Sequence, residues 1–337
     1  MRIGMSLEYA ADPSGAGFAG VAREVAEHER AGLDVVWVPE AYSFDAVSRL
    51  GYLAALTSRV ELAAGVLPFY TRTPTVLAMT AAGLDELSGG RFTLGLGASN
   101  PQVVEICRRV WRRERLVHDG RHYRVPLPPE QGTGLGRPLK LINHPVRARI
   151  PVVLAALGPR NVALAAEIAE GWLPILYVPE RASARWGAAL ADGLARRDPA
   201  LGPLDVVASA ALCLTDDPDV ARRALDGVRP FVALYVGGMG ARGHNFYNDL
   251  VAGYGWEREA AAIQDLYLEG RKDEAAAAVP DDLLAALSLI GPRAHVAERL
   301  AAHAASGVTT INVTPVAGTS AERVALVAAV KELAADL

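Results

Sequence analysis

The stretch that most constrains the fold lies between residues 60 and 97, where two short apolar runs flank one helix-like segment. Thr73 is suited to cap this helix, Pro74 suits its first turn, and Gly89-Gly90 would end it. One face of the segment repeats apolar residues at roughly helical spacing and can pack on a sheet; these residues are Val76, Met79, Ala82/Gly83 and Leu87. A strand, a helix and a second strand over about forty residues form a βαβ unit. The pattern therefore predicts two parallel strands.

Similar units repeat along all 337 residues. We count about eight strand–helix repeats with no break in composition, which favours one (β/α)8 TIM barrel, residues 1–337, over a doubly wound open sheet. A Pro/Gly-rich excursion near residues 115–149 interrupts the repeat, and a turn signal at residues 118–120 predicts a hairpin inside it. A second interruption near residues 237–287 predicts a helical insertion before the last βα unit. Residues 228–235, just before the insertion, are expected to form a strand.

The composition argues against several classes of function. The net charge of −4 does not favour a nucleic-acid surface or a polybasic membrane patch. No apolar run approaches the roughly 18 to 20 residues of a membrane span, and the first residues are typical of a strand, not of a signal peptide. The two cysteines, Cys107 and Cys213, form no CxxC motif, which is typical of a reducing compartment. We therefore expect a cytoplasmic protein without nucleic-acid or membrane partners.

Small residues follow both strands of the first βαβ unit. Ligands of parallel sheets bind at the carboxyl ends of the strands, and small residues there let a flat ring approach the backbone. The alternative is that these glycines only serve turns. The two segments are Gly65-Val66 and Gly97-Ala98-Ser99-Asn100.

Two further strand ends carry candidate residues. The segment Ala155–Asn161 contains Gly158-Pro159-Arg160 where a strand is expected to turn into a helix. A helix N-terminus offers unpaired N–H groups, and glycine lets a phosphate reach them, so we predict an anion site with an ordinary βα turn as the alternative. Glu40 follows another apolar strand, where a carboxylate either contributes to a site or caps the next helix.

Other motifs of catalysis and metal binding are absent. The seven histidines form no metal-binding pattern, so we predict no metal. His118 and His122 are four residues apart, but on a predicted hairpin this spacing does not bring them together. No nucleophile elbow or P-loop is present, and Gly95-Leu96-Gly97 lacks the third glycine of a dinucleotide motif.

Taken together, these segments resemble the luciferase-like monooxygenase family, and most of all its branch that uses the deazaflavin coenzyme F420 in place of FMN. The resemblance spans nearly the whole chain and is specific as a set. The matching segments are Val36–Tyr42, Gly65-Val66, Tyr70–Pro74, Gly89–Phe92, Leu94–Ser99, Pro101–Glu105, Gly132–Gly136, Ile150–Pro159 and Ala165–Trp172.

This resemblance implies a (β/α)8 barrel, usually dimeric, with hydride transfer at the C-terminal mouth of the strands. Glu40 matches an acidic position near the deazaflavin ring. Gly65-Val66 matches the bulge that backs the ring, and the family implies a cis peptide bond between these two residues. The family's loop lining the ring matches Gly97, Ala98, Ser99 and Asn100, and its backbone nest for the coenzyme phosphate matches Leu157, Gly158, Pro159 and Arg160.

The chain departs from its sugar-phosphate-oxidising relatives at two positions. Those relatives carry a His after the acid that matches Glu40 and a Glu in the loop that matches Gly97–Asn100, and the corresponding residues here are Ala41 and Asn100. No general acid or base carries over, so the catalytic residues stay unassigned. Relatives also run through a longer segment after the residue that matches Glu105.

We therefore predict an F420-dependent oxidoreductase that transfers a hydride between the deazaflavin and an unidentified organic small molecule. The substrate would lie over the ring near Tyr42 and Tyr70. The first alternative is an FMN-dependent monooxygenase, and the second is a cofactor-binding protein without turnover. A homodimer is expected through the helices Asp45–Thr57 and Pro74–Ser88, whose Ala and Gly content allows close helix contacts.

Overall fold

Strands and helices alternate over the residues that this computed structural model describes, which are 1–7, 17–41, 43–97 and 100–337. The strands are β1 Arg2–Ser6, β2 Val35–Val38, β3 Glu61–Ala64, β4 Leu67–Pro68, β5 Phe92–Gly97, β6 His118–Asp119, β7 Arg124–Val125, β8 Val152–Ala155, β9 Gly171–Leu173, β10 Asp205–Leu214, β11 Ser288–Gly291 and β12 Thr310–Pro315. The helices are α1 Gly17–Arg30, α2 Ala46–Leu56, α3 Pro74–Leu87, α4 Pro101–Trp111, α5 Pro159–Ile168, α6 Pro179–Ala195, α7 Pro218–Ala233, α8 Phe246–Gly253, α9 Glu257–Leu268, α10 Lys272–Ala277, α11 Asp281–Ala286, α12 Arg293–Ala305 and α13 Ser320–Leu333.

Eight of the described strands close a barrel. Their order around the ring is β1-β2-β3-β5-β8-β9-β10-β12, and β12 pairs back with β1. All of these pairings are parallel. The long strand β10 pairs with β9 through its first residues and with β11 through its last, so β11 extends the wall beyond the end of β9. The predicted TIM barrel is confirmed, and the open doubly wound sheet is wrong.

The local signals in the sequence place the helix ends correctly. The Thr73 hydroxyl accepts a hydrogen bond from the Val76 N–H, and α3 begins at Pro74. Gly89 and Gly90 follow the helix with φ angles of 65° and 86°, which glycine adopts without a steric penalty. The Asp45 carboxylate caps α2 by accepting from the Ser48 N–H at 2.8 Å.

The region around the second interruption contains both a correct and a wrong prediction. Helices α8 to α11 lie where the helical insertion was predicted, and they precede β11, which the sequence patterns did not indicate. The strand predicted at 228–235 is wrong, because α7 continues to Ala233 and passes into a π-helical turn, Leu234–Gly238. Val232 and Ala233 are buried on one face of this helix, so packing against neighbouring helices overrides the strand propensity of the apolar run.

The first excursion carries the predicted hairpin. Strands β6 and β7 pair in antiparallel fashion, with His118 opposite Val125. The Gln102 side chain on α4 accepts a hydrogen bond from the His122 N–H at 3.1 Å, which attaches the hairpin to the helix that follows β5.

Candidate functional site

The candidate residues meet at one end of the barrel. Because the eight ring strands are parallel, their carboxyl ends share one face, the mouth of the barrel. Glu40 follows β2, Gly65-Val66 follow β3, Gly97 ends β5, and Leu157–Arg160 follow β8. Tyr42, Ala98 and Ser99 lie outside the described residues.

Small residues line the floor of this mouth. The peptide bond between Gly65 and Val66 is cis, as the resemblance implied. A Cβ atom added to Gly97 would lie 2.7 Å from Cγ2 of Val66 and 3.8 Å from the Cβ of Ala155, so strands β3, β5 and β8 converge here. A Cβ atom on Gly65 would lie 3.2 Å from the side chain of Trp37 in the barrel interior. Gly65 and Gly97 therefore allow backbone and side chains to pack closely, which a turn alone would not require.

The Glu40 carboxylate is held by two partners. Arg72 binds it with both terminal guanidinium nitrogens, and the Nη2–Oε2 distance is 2.9 Å. The Ala46 N–H donates to the same Oε2 at 2.8 Å, so Glu40 also caps the first turn of α2. The side chains of Glu40 and Arg72 are only 14% and 17% exposed, which strengthens their attraction. Sequence reasoning missed Arg72, although this residue lies in a segment that matches the family.

Asn100 caps helix α4. Its Oδ1 accepts a hydrogen bond from the Gln102 N–H at 3.0 Å, at the start of α4. This bond fixes the side chain at the start of α4, where the resemblance implies the wall of the ring site.

Two tyrosines from different segments, Tyr70 and Tyr123, interact electrostatically. Tyr70 is 83% exposed on the 3-10 turn Phe69–Thr71, and its ring centre lies 4.0 Å from that of Phe69. Burial raises the pKa of Tyr123, and the neighbouring Tyr70 raises it further. Tyr123 comes from the hairpin between β6 and β7, so only the tertiary structure brings it beside Tyr70.

The turn from β8 into α5 contains backbone N–H groups that donate no hydrogen bond to the described residues. Gly158 is the N-cap of α5, and its carbonyl accepts from the N–H groups of Asn161 and Val162. The N–H groups of Leu157 and Gly158 donate to no described residue. A Cβ atom on Gly158 would meet nothing within 4 Å, and its φ of −71° suits any residue. Gly158 is therefore not required by the turn itself, but it leaves the space above these donors open.

The described ranges contain no candidate metal site and no candidate membrane-spanning helix. No group of three or more His, Cys, Asp or Glu residues there could hold a metal ion. None of the helices there combines the length and the apolar character that crossing a bilayer requires.

A family model, curated relatives and a solved structure match this chain. The model of the luciferase-like monooxygenase family matches residues 1–310. A protein of Mycobacterium tuberculosis named "Putative coenzyme F420-dependent oxidoreductase" is 42% identical, with 93% of this chain and 95% of that protein covered. A 5,10-methylenetetrahydromethanopterin reductase of Archaeoglobus fulgidus is 28% identical over 84% of this chain and 85% of its own. The structure of the coenzyme F420-dependent tetrahydromethanopterin reductase from Methanopyrus kandleri shares the fold, with a TM-score of 0.78, 20% identity and 97% of each chain covered.

Proposed function

This chain belongs to the luciferase-like monooxygenase family, and we propose that it is an oxidoreductase that uses coenzyme F420. The observation that carries the proposal is the 42% identity, over 93% of the chain, to a relative whose name states that cofactor. In this proposal a hydride passes between the deazaflavin and an organic small molecule at the mouth of the barrel.

The residues at the mouth fit such a cofactor. We propose that Gly65-Val66 and Gly97 lie beneath the flat ring, and that Ala98, Ser99 and Asn100 contribute to the same site. The open turn Leu157–Arg160 would hold the phosphate through backbone N–H groups, with Arg160 exposed beside them. The bound deazaflavin supplies the two-electron chemistry, while the protein orients the ring and excludes water.

The substrate would bind over the ring, with Tyr42 and Tyr70 at its border and Tyr123 beside Tyr70. Glu40 is not assigned as a proton donor, because Arg72 and the Ala46 N–H already occupy its carboxylate. We propose instead that Glu40 holds the edge of the ring site in place. The general acid or base remains unassigned.

The absorption spectrum after reconstitution tests the cofactor, because deazaflavin and flavin absorb differently. We expect the protein to retain F420 and not FMN. Micromolar binding of FMN without detectable binding of F420 would instead favour the FMN-dependent monooxygenase.

Turnover is tested with reduced and oxidised F420 against a panel of alcohols, ketones and enones. If the deazaflavin absorbance stays unchanged with every compound, a cofactor-binding protein without turnover is favoured.

A carboxylate in the turn should oppose the phosphate. We expect Gly158→Asp to weaken F420 binding about tenfold or more, since it places a negative charge beside the proposed phosphate position. Gly227→Asp is the matched control, because Gly227 lies on α7 and an added Cβ also meets nothing within 4 Å. Fluorescence titration with F420 measures both variants, and equal affinities would contradict the phosphate assignment.

We also propose that the protein is a cytoplasmic homodimer. Cys107 and Cys213 are buried free thiols, which supports a reducing compartment. Large apolar side chains on α2 and α3 are exposed, and such a patch is typical of an interaction surface. These side chains are Tyr52, Leu56, Val76, Met79 and Leu87.

A further inference from the structure

Two buried tryptophans contact the turn that carries the open backbone donors. Trp172 lies on β9 and Trp186 on α6, and they are 0% and 1% exposed. The indole N–H of Trp172 donates to the carbonyl of Ala156 at 2.9 Å. The indole N–H of Trp186 donates to the carbonyl of Leu157, also at 2.9 Å. Two consecutive carbonyls of the turn therefore accept hydrogen bonds from buried side chains of later elements.

These hydrogen bonds set the direction of the N–H groups. In a trans peptide unit the C=O and the following N–H point in opposite directions. The described cis bonds are at Gly65–Val66 and Val125–Pro126, so the two units of this turn are trans. With the carbonyls of Ala156 and Leu157 directed at the tryptophans, the N–H groups of Leu157 and Gly158 point away from them. These are the two groups that donate to no described residue.

The tryptophans are themselves held rigidly. Their rings meet edge to face, with centroids 5.2 Å apart and planes at 77°. Tyr177 stacks on Trp186 at 5.6 Å, and Tyr254 meets it edge-on at 6.2 Å. Tyr254 follows α8 of the helical insertion, and its hydroxyl donates to the Leu176 carbonyl at 3.1 Å. The helical insertion therefore packs against the tryptophan pair through Tyr254.

We propose that Trp172 and Trp186 are positioning residues for phosphate recognition: they orient the β8–α5 turn so that its N–H groups face the cofactor. This inference rests on the proposed function, in which the turn binds the phosphate of F420. The tryptophans bind the carbonyls of the turn, on the side opposite its free N–H groups. They would therefore affect only the part of the ligand that these N–H groups bind, which is the phosphate.

Conservative variants can separate this role from packing. Trp172→Phe and Trp186→Phe each keep an aromatic ring but remove the N–H donor. Trp111→Phe is the matched control, because Trp111 is 1% exposed and its indole N–H donates at 2.9 Å to a carbonyl elsewhere, that of Ala78 in α3. Urea unfolding of all three variants reports the cost of losing a buried hydrogen bond in general.

Binding is measured with F420 and with the deazaflavin nucleoside that lacks the phosphate, using the fluorescence of the ligand. We expect Trp172→Phe and Trp186→Phe each to bind F420 about three- to tenfold more weakly, because each variant loses one hydrogen bond of ordinary strength. Binding of the phosphate-free nucleoside should stay unchanged, as should binding of both ligands to Trp111→Phe.

Three results would overturn the inference. The first is an equal loss for both ligands in Trp172→Phe and Trp186→Phe, which a merely structural role would produce. The second is unchanged F420 affinity in both variants. The third is a wild-type protein that binds the two deazaflavins equally well. If the wild type binds FMN and not F420, the proposed cofactor is wrong, and FMN against riboflavin then makes the same comparison for the tryptophans.

Discussion

At the scale of single residues, Glu40 joins three segments of the barrel mouth. It follows β2, accepts from the first N–H of α2, and binds Arg72 just before α3. Burial of both side chains makes the pair costly to break, since the remaining charge would lose its partner without regaining full hydration. The resemblance implies a position near the ring for Glu40, and the two partners hold its carboxylate at the end of β2.

Removal of Arg72 should therefore destabilise the protein. We expect Arg72→Leu to lower the free energy of unfolding by about 2 kcal/mol, because it leaves a largely buried carboxylate unpaired. The control is Arg242→Leu, which breaks the exposed Arg242–Asp265 pair and should cost no more than about 0.5 kcal/mol. Urea unfolding at pH 7.5 measures both variants. Equal losses in the two variants would contradict a special role for the Glu40–Arg72 pair.

At the scale of elements, helix α12 contains a buried histidine that resists protonation in the folded protein. His303 is 0% exposed, and its ring lies 5.9 Å from that of Tyr177. Burial is the main cause that lowers the pKa of His303 to about 4; the nearby Arg299 adds to this shift, and Glu180 opposes it. The folded protein thus keeps His303 neutral at pH values where an unfolded histidine, with an ordinary pKa of about 6.5, already binds a proton.

This difference predicts a loss of stability in mild acid. Above pH 6.5 neither state protonates His303, so its contribution is constant. As the pH falls from 6.5 towards 4, only the unfolded state gains the proton, and the free energy of unfolding should fall by up to about 3 kcal/mol. Urea unfolding at pH 7.5 and pH 5.0 measures the fall. Burial lowers the pKa of His28 too, so the fall should become smaller, not vanish, in His303→Leu. The same fall in both proteins would contradict the assignment to His303.

At the scale of the whole molecule, the outer faces of α2 and α3 distinguish one side of the barrel. Val76 and Met79 on α3 are 44% and 43% exposed, and Leu87 at its end is 65% exposed, so the prediction that this face packs on the sheet is wrong. The buried face of α3 carries Leu77 and Leu84 instead. Val76, Met79 and Leu87 lie one or two helical turns apart, so they form a stripe that a second copy of the chain can cover.

Light scattering at tens of micromolar should give twice the mass of one chain. Met79→Glu should shift the protein towards the monomer, because it buries a charge in the proposed interface. Leu194→Glu is the control, since Leu194 is similarly exposed, at 46%, but lies on α6. A wild-type monomer, or equal dissociation in both variants, would count against the α2–α3 interface.

The sequence by itself determined the βα repeat, several helix ends and the family. Thr73, Asp45 and Gly89-Gly90 act on backbone groups within a few positions of themselves, so local chemistry predicts them. The family match likewise depends on short segments that can be read without coordinates. It placed Gly65 and Leu157–Arg160 at the mouth of a barrel before any contact was known.

Only the tertiary structure decided how distant segments interact. Arg72 binds Glu40 from 32 positions away, and Trp186 binds the Leu157 carbonyl from 29 positions away. An indole or a guanidinium donates equally well to many acceptors, so the sequence does not specify which one it meets. The run 228–235 is apolar enough for a strand or a buried helix face, and the packing of α7 against its neighbours selects the helix.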